Sequence, residues 1–215
     1  MISVNSWSRR RPSQSKLWGA FVSLLCGIAL GGEALVTVEV SDSDPAQSRA
    51  VIHPADGASW TCPVGSGKEG IKEAGETFAN GWSLAGTFRI DGILAPGRFD
   101  MHPDLVRASG KSEAELRTQL FANMSRIDFD GDGVAGEYGQ GFLGLTPELP
   151  GEQPFGFRSY RGIFRWFSYA LHGTEDQSRV GKRSTGGCIN LRSEDLVRLL
   201  RVAKLGDRVE IRRVP

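Results

Sequence analysis

Apolar and polar positions alternate with period two from Leu35 to Val40, LVTVEV, which predicts a strand. The polar stretch Ser41 to Arg49, broken by Pro45, predicts a loop. Val51 and Ile52, a turn at Pro54 to Gly57, and a second run from Trp60 to Val64 predict a hairpin. The period then changes. Leu116, Leu120, Phe121 and Met124 recur at helical spacing, and Ser112 with Glu115 makes a capping box, so a helix is predicted over Ser112 to Met124. That stripe is read as core packing. Arg161 to Leu171 returns to strand, with Phe164, Trp166 and Ala170 on one side and Phe167 and Tyr169 on the other or across a bulge. Ser193 is the expected N-cap of a second helix, with Glu194 and Asp195 in its first turn. Leu196, Leu199, Leu200 and Ala203 form its apolar face, Gly206 ends it, and Arg208 to Ile211 is a closing strand. The pattern is mainly β, with a C-terminal helix and an inserted helical segment at about 95–155.

The first 34 residues read differently. Arg9, Arg10, Arg11 and Lys16 precede an apolar run from Leu17 to Leu30, and Gly32 and Ala34 offer small residues for cleavage. This predicts a signal peptide, or an N-terminal anchor if it is retained, and hence an exported protein of the periplasm or cell wall. Pro12 spoils a twin-arginine match, and Leu25 before Cys26 is too large for a lipoprotein site. No stable membrane span is expected after cleavage. The remaining 35–215 suits one domain with a sizeable core. The 28 glycines fit a turn-rich, strand-rich chain. Lys and Arg number 26 against 25 Asp and Glu, a balance that gives no reason to expect nucleic acid as a partner.

Candidate chemistry gathers in Ala170 to Leu191, ALHGTEDQSRVGKRSTGGCINL. His172 and Cys188 lie there among Gly173, Gly181, Gly186 and Gly187. A thiolate is the nucleophile, and a free thiol with a pKa of about 8.5 is mostly protonated at neutral pH. An imidazole within reach can take that proton and hold it as an ion pair. The glycines leave room beside the sulfur and let backbone N–H groups turn toward an oxyanion. Each residue alone is commonly structural; it is the combination that points to acyl transfer. An exported compartment also permits a Cys62–Cys188 disulfide, which would abolish that chemistry. Cys62 otherwise reads as a buried structural thiol.

The same stretch resembles the catalytic motif of the L,D-transpeptidase family (YkuD-type). His172, Gly173 and Thr174 match its start, and Thr185, Gly187, Cys188, Ile189 and Asn190 match its end. The family's second histidine, two before the cysteine, is Gly186 here. Pro63 to Gly67, Leu84 to Ile90 and the closing Gly-Asp-x-Val-x-Ile segment fit more loosely. The resemblance implies a β-sandwich or barrel-like fold. It implies a cysteine-dependent acyltransferase acting on peptidoglycan stem peptides, with no cofactor. In that scheme Cys188 is the nucleophile, His172 the base and Gly173 the residue that orients it. Gly187, Thr185, Asn190 and Arg192 are the expected oxyanion and substrate contacts, with Arg183 a further one for substrate carboxylates. The missing histidine keeps a carboxypeptidase open, and a non-catalytic wall-binding module is the other alternative. A sortase-like thiol transpeptidase lacks its Thr-Leu-x-Thr-Cys signature here.

Other motifs carry less. Asp128, Asp130 and Asp132 with Gly133 match the start of a calcium loop, but position 12 is Gly139, so a structural calcium ion is only a candidate. Gly65 to Lys68 lacks the spacing of a phosphate loop. Zinc on His102, His172 and the cysteines has no close ligand pair, and His53 sits at a turn. Pro147, Pro150 and Pro154 suggest a lid or wall, and Tyr160, Trp166 and Tyr169 are candidates to line a groove.

Overall fold

Strand β1 (Val36–Ser41) shows how the sheet is written into the chain. Val36, Val38 and Val40 are fully buried while Thr37 and Glu39 between them are half-buried, as the two-residue period requires. A computed structural model describes residues 33–73, 75–124, 138–148 and 156–215. In order along the chain follow β2 (Arg49–Ile52), β3 (Trp60–Gly67), β4 (Gly70–Lys72), β5 (Trp82–Leu84), β6 (Gly86–Ala95) and β7 (Arg98–Met101). Helices α1 (Pro103–Ser109) and α2 (Glu113–Met124) come next, then β8 (Phe142–Pro147), β9 (Gly156–Tyr160), β10 (Ile163–Phe167) and β11 (Tyr169–His172). The chain ends with β12 (Arg183–Thr185), β13 (Ile189–Leu191), α3 (Ser193–Val202) and β14 (Arg208–Val214).

Eight strands run in the order β3, β13, β11, β8, β6, β14, β1, β2, and antiparallel pairing of β2 with β3 closes the ring. The fold is thus mainly β and barrel-like. The barrel interior holds the larger apolar cluster, from Val36 and Val38 on β1 to Leu171 on β11, with α3 adding Leu196, Leu199 and Leu200. A smaller cluster lies on the outer face of β6, β8 and β11: Leu94, Phe142 and Ala170 meet Leu116 and Leu120 of α2 and Trp166 of β10. Trp166 lies against Gly92 and Gly144, paired across β6 and β8, where a Cβ on either would collide with the indole.

Several expectations need adjustment. The 113–124 helix forms with its capping box in place: Glu115 N donates to Ser112 Oγ (3.3 Å) and Ser112 N to Glu115 Oε2 (2.9 Å). However, β8 lies inside the stretch read as an insertion, yet it is a barrel strand between β11 and β6. Its short apolar run gave no cue that it was central. The single strand expected over Arg161 to Leu171 is two strands, because Ser168 interrupts it. Its Oγ donates to Leu145 O (3.1 Å) and accepts from Leu145 N (3.3 Å). One side chain replaces the backbone rungs there, so β10 leaves the barrel to pair with β9 alone. Arg192, not Ser193, holds the N-cap position of α3, without a side-chain cap bond. The Gln177 side chain takes over, its Oε1 accepting from Ser193 N (3.2 Å). The Asp128–Asp130–Asp132 motif, Pro150, Pro154 and the N-terminal segment lie outside the described residues. Among the described residues no helix is long and apolar enough to cross a membrane.

Candidate active site

Parallel pairing of β11 with β13 brings the two halves of the motif together. Leu171 pairs with Ile189 and His172 with Asn190. Leu171 and Ile189 point into the barrel, so His172, Asn190 and Cys188, which precedes Ile189, project from the outer face. His172 and Cys188 are therefore diagonal neighbours on adjacent strands. In sheets such pairs lie about 7–8 Å apart at the backbone, within reach of long side chains.

The imidazole is held on three sides. Its Nδ1 lies 2.6 Å from the Gly173 carbonyl oxygen, so Nδ1–H donates there and Nε2 is the nitrogen left to accept a proton. The Tyr138 ring meets it edge-on at 4.6 Å, and Phe142 stacks at 6.1 Å. Gly173 is in turn fixed by its N–H to the Gly141 carbonyl (3.2 Å). Burial of this ring disfavours the cation and lowers its pKa to about 4, against a smaller upward pull from the Gly173 carbonyl.

The sulfur sits over the β10–β11 break. Cys188 Sγ lies 3.9 Å from the Ser168 carbonyl oxygen, and its side chain packs against the outer apolar cluster. Among the described residues no hydrogen bond joins Sγ to His172. Burial raises the thiol to about 11, opposed by the Ala170 backbone and the Arg165 guanidinium. Both shifts run against the stored ion pair expected from sequence, since burial favours the neutral thiol and the neutral imidazole.

The Thr185–Cys188 turn is tied by one hydroxyl. Thr185 Oγ1 donates to Cys188 O (2.6 Å) and accepts from Gly187 N (3.1 Å). The Gly187 N–H is thereby engaged and does not point at an oxyanion in this arrangement. Gly187 itself has φ +135, and a Cβ there would lie 2.6 Å from the Trp82 carbonyl. At Gly186, where the family motif has histidine, a Cβ would meet Asn80 Oδ1 at 3.0 Å, and the Gly186 carbonyl accepts from Gly81 N (2.7 Å). Among the described residues the Asn80 side chain is thus the one neighbour that a side chain at 186 would have to displace at its Cβ.

Asn190 is buried beside His172, with Oδ1 unbonded among the described residues. Arg192 is exposed and four residues beyond Cys188, roughly 13 Å along an extended chain. Arg183 is turned to the β1 end, donating to the Ser41 and Asp42 carbonyls. Trp166 and Tyr169 are buried in the two clusters, which leaves Tyr160 of the three groove candidates partly exposed. Both Cys62 and Cys188 are free thiols. Cys62 lies inside the barrel and Cys188 outside it. His102 caps α1 and His53 contacts Ser59, and among the described residues no group of three acidic, histidine or cysteine side chains is placed to hold a metal.

The family model of the L,D-transpeptidase catalytic domain (YkuD) matches residues 37–211. The chain belongs to the L,D-transpeptidase family. A Fuscovulum blasticum reading frame of the ATP synthase subunits region, provisionally named an L,D-transpeptidase, is 39% identical over 46 residues, covering 21% of this chain and 24% of that one. An L,D-transpeptidase from Mycobacterium smegmatis covers 83% of this chain and 59% of its own at 14% identity and TM-score 0.37. L,D-transpeptidase 3 of Mycobacterium tuberculosis covers 83% and 61% at 12% identity and TM-score 0.39. Membership rests on the family model, since these structural scores are low.

Two residues beside the family motif escaped the sequence reading. Arg165 is buried on β10, its Nη2 donating to Tyr138 OH (3.1 Å), and Tyr138 forms one wall of the imidazole. A charged residue inside the apolar run IFRWF was the available signal for Arg165. Nothing local marks Tyr138, because only the fold carries it to His172.

Proposed function

We propose that the protein is a cysteine-dependent acyltransferase of peptidoglycan stem peptides. The observation that carries this is the β11–β13 pairing, which sets His172 and Cys188 on one outer face with Nε2 free to accept a proton. Cys188 Sγ attacks the carbonyl carbon of the third stem residue while its proton passes to His172 Nε2. The carbonyl π bond opens to an oxyanion, met by the Cys188 backbone N–H. As the carbonyl re-forms, the C–N bond to the terminal D-alanine breaks and His172 returns the proton to the leaving amine. A thioester remains. The amine of a second stem attacks it and gives a proton to His172. The C–S bond breaks, and His172 passes that proton to the leaving sulfur, which leaves a cross-link between two third residues, the restored thiol and the neutral imidazole. Because both partners rest neutral, His172 works as a base during attack and not by maintaining a standing thiolate.

Export to the periplasm or cell wall is part of the same reading, since the substrate lies there. Water in place of the second amine gives the carboxypeptidase. The raised thiol pKa favours a second reading, a module that binds wall peptides without turnover.

The protein is incubated with a disaccharide-tetrapeptide and analysed by mass spectrometry beside Cys188→Ala. A dimer lacking one D-alanine, absent from the variant, is the expected result. Cysteine-dependent tripeptide without dimer assigns the hydrolase. Absence of any Cys188-dependent product or thioester mass shift refutes catalysis on this substrate and leaves the binding module.

A further inference from the structure

The two-stranded hairpin of β9 and β10 has two unlike faces. Phe157, Phe164 and Trp166 join the outer apolar cluster beneath α2. The Asn123 side chain pins this face by donating to the Phe164 carbonyl (2.7 Å). The alternation of a strand puts Arg158, Tyr160, Arg165 and Phe167 on the other face. From that face Arg165 reaches the surroundings of the reacting pair. Arg165 reaches Tyr138, which touches His172, and β10 ends at Ser168, whose carbonyl contacts Cys188 Sγ.

Arg158 and Arg165 are directly opposite in the register. Like charges so placed destabilise a strand pair. Both guanidinium carbons sit 4.0 Å from the centroid of the Phe167 ring, which orders them as a pair of planar donors. Arg158 is exposed, and no carboxylate pairs with it among the described residues. Arg161 at the hairpin turn, over the Tyr160 ring at 5.3 Å, adds a third positive charge. Guanidinium pairs match a carboxylate in geometry and charge.

We propose that Arg158 and Arg165 form a carboxylate-binding wall that receives the terminal carboxylate of the donor stem peptide. For its substrate the inference rests on the acyltransferase reading above. In that substrate the carboxylate carbon is three bonds from the carbonyl carbon attacked, so it lies no more than about 4 Å from it. The negative charge must fall beside the sulfur, where Arg165 stands. The two arginines suggested by sequence do not serve: Arg183 is engaged with the 41–42 backbone, and Arg192 lies beyond β13. Arg158 and Arg165 thus bind and orient the leaving residue and take no proton.

Two tetrapeptide stems are compared, one ending in the free carboxylate and one in the carboxamide. With the unaltered protein, the amide is expected to lower kcat/KM about tenfold or more, mainly through KM. Arg158→Gln and Arg165→Lys are each expected to shrink that ratio, and the double variant to abolish it. Arg158 is exposed, so its variant tests the wall even if substitution at buried Arg165 disturbs folding. In parallel, Cys188→Ala is titrated with both peptides by calorimetry, where the same preference should appear in Kd. Equal use of the two peptides by the unaltered protein, or full discrimination in the double variant, overturns the wall while leaving the acyltransferase intact. If no product forms with either peptide, the catalytic reading fails separately and the titration decides. A carboxylate preference that depends on the arginines then upholds the wall, and equal or absent binding overturns it.

Discussion

Burial sets the resting charge of the two reacting side chains. His172, lowered to about 4, stays neutral through the physiological range, and Cys188, raised to about 11, stays protonated. The sign for reactivity follows: the thiolate fraction at Cys188 grows only as pH rises toward 11. Alkylation by iodoacetamide, followed on the Cys188 peptide by mass spectrometry, is expected to accelerate continuously from pH 7 to beyond 9. A plateau reached below pH 8 would instead reveal a standing thiolate–imidazolium pair. For stability, His172 carries a folded pKa below its unfolded value, so the unfolded chain binds more protons between about 4 and 6.5. Stability from this group is full above pH 6.5 and falls by about 3 kcal/mol as pH drops to 4. Sequence alone named both residues because His-Gly-Thr and Gly-Cys-Ile-Asn are contiguous motifs. It could not give their charge state, because that depends on burial by residues from other parts of the chain, as Tyr138 and Phe142 bury His172.

Among the elements, β10 owes its place to one side chain and two absences. Ser168 ends the strand by taking the Leu145 backbone groups, and Trp166 then lies on the glycine pair of β6 and β8. Gly144→Ala would push the indole off the sheet. Overpacking of this kind costs typically about 1–3 kcal/mol. The loss is expected as a lower urea midpoint with unchanged m-value, together with weaker protection of β9–β10 amides from hydrogen exchange. Unchanged protection there would show that Trp166 does not anchor the hairpin. The periodicity of 163–171 was correct in placing Phe164, Trp166 and Ala170 together, since all three join the outer cluster. Phe167 and Tyr169, however, part company: Tyr169 enters the inner cluster while Phe167 lies under Arg158 and Arg165 on the hairpin. It missed the break, because a serine in a strand carries no local sign that it will replace backbone rungs.

At the scale of the molecule, the closed barrel is a platform with chemistry on one outer face. Val38 on β1 and Leu120 on α2 are both fully buried, but β1 lies four strands from β11 in the ring while α2 backs the β9–β10 hairpin. Leu120→Ala is expected to cost about 2–5 kcal/mol, and Val38→Ala somewhat less. Only Leu120→Ala should lower kcat/KM under conditions where both remain folded. Urea denaturation beside steady-state kinetics checks this, and equal activity in the two variants would detach the outer cluster from function.

What the sequence determined by itself was local: the period-two strands, the capped α2, the apolar face of α3 and the contiguous residues of the motif. Each depends on spacing within a few turns or rungs, and that spacing is fixed by the backbone. Tertiary structure alone decided what spacing does not encode. It made β8 a central strand, turned Gln177 into the cap of α3, and engaged Gly187 with Thr185. It set Cys62 inside and Cys188 outside the same wall. It also brought Arg165 and Tyr138 to His172 and Cys188, because hydrogen bonds and desolvation act through space between segments that the chain itself keeps far apart.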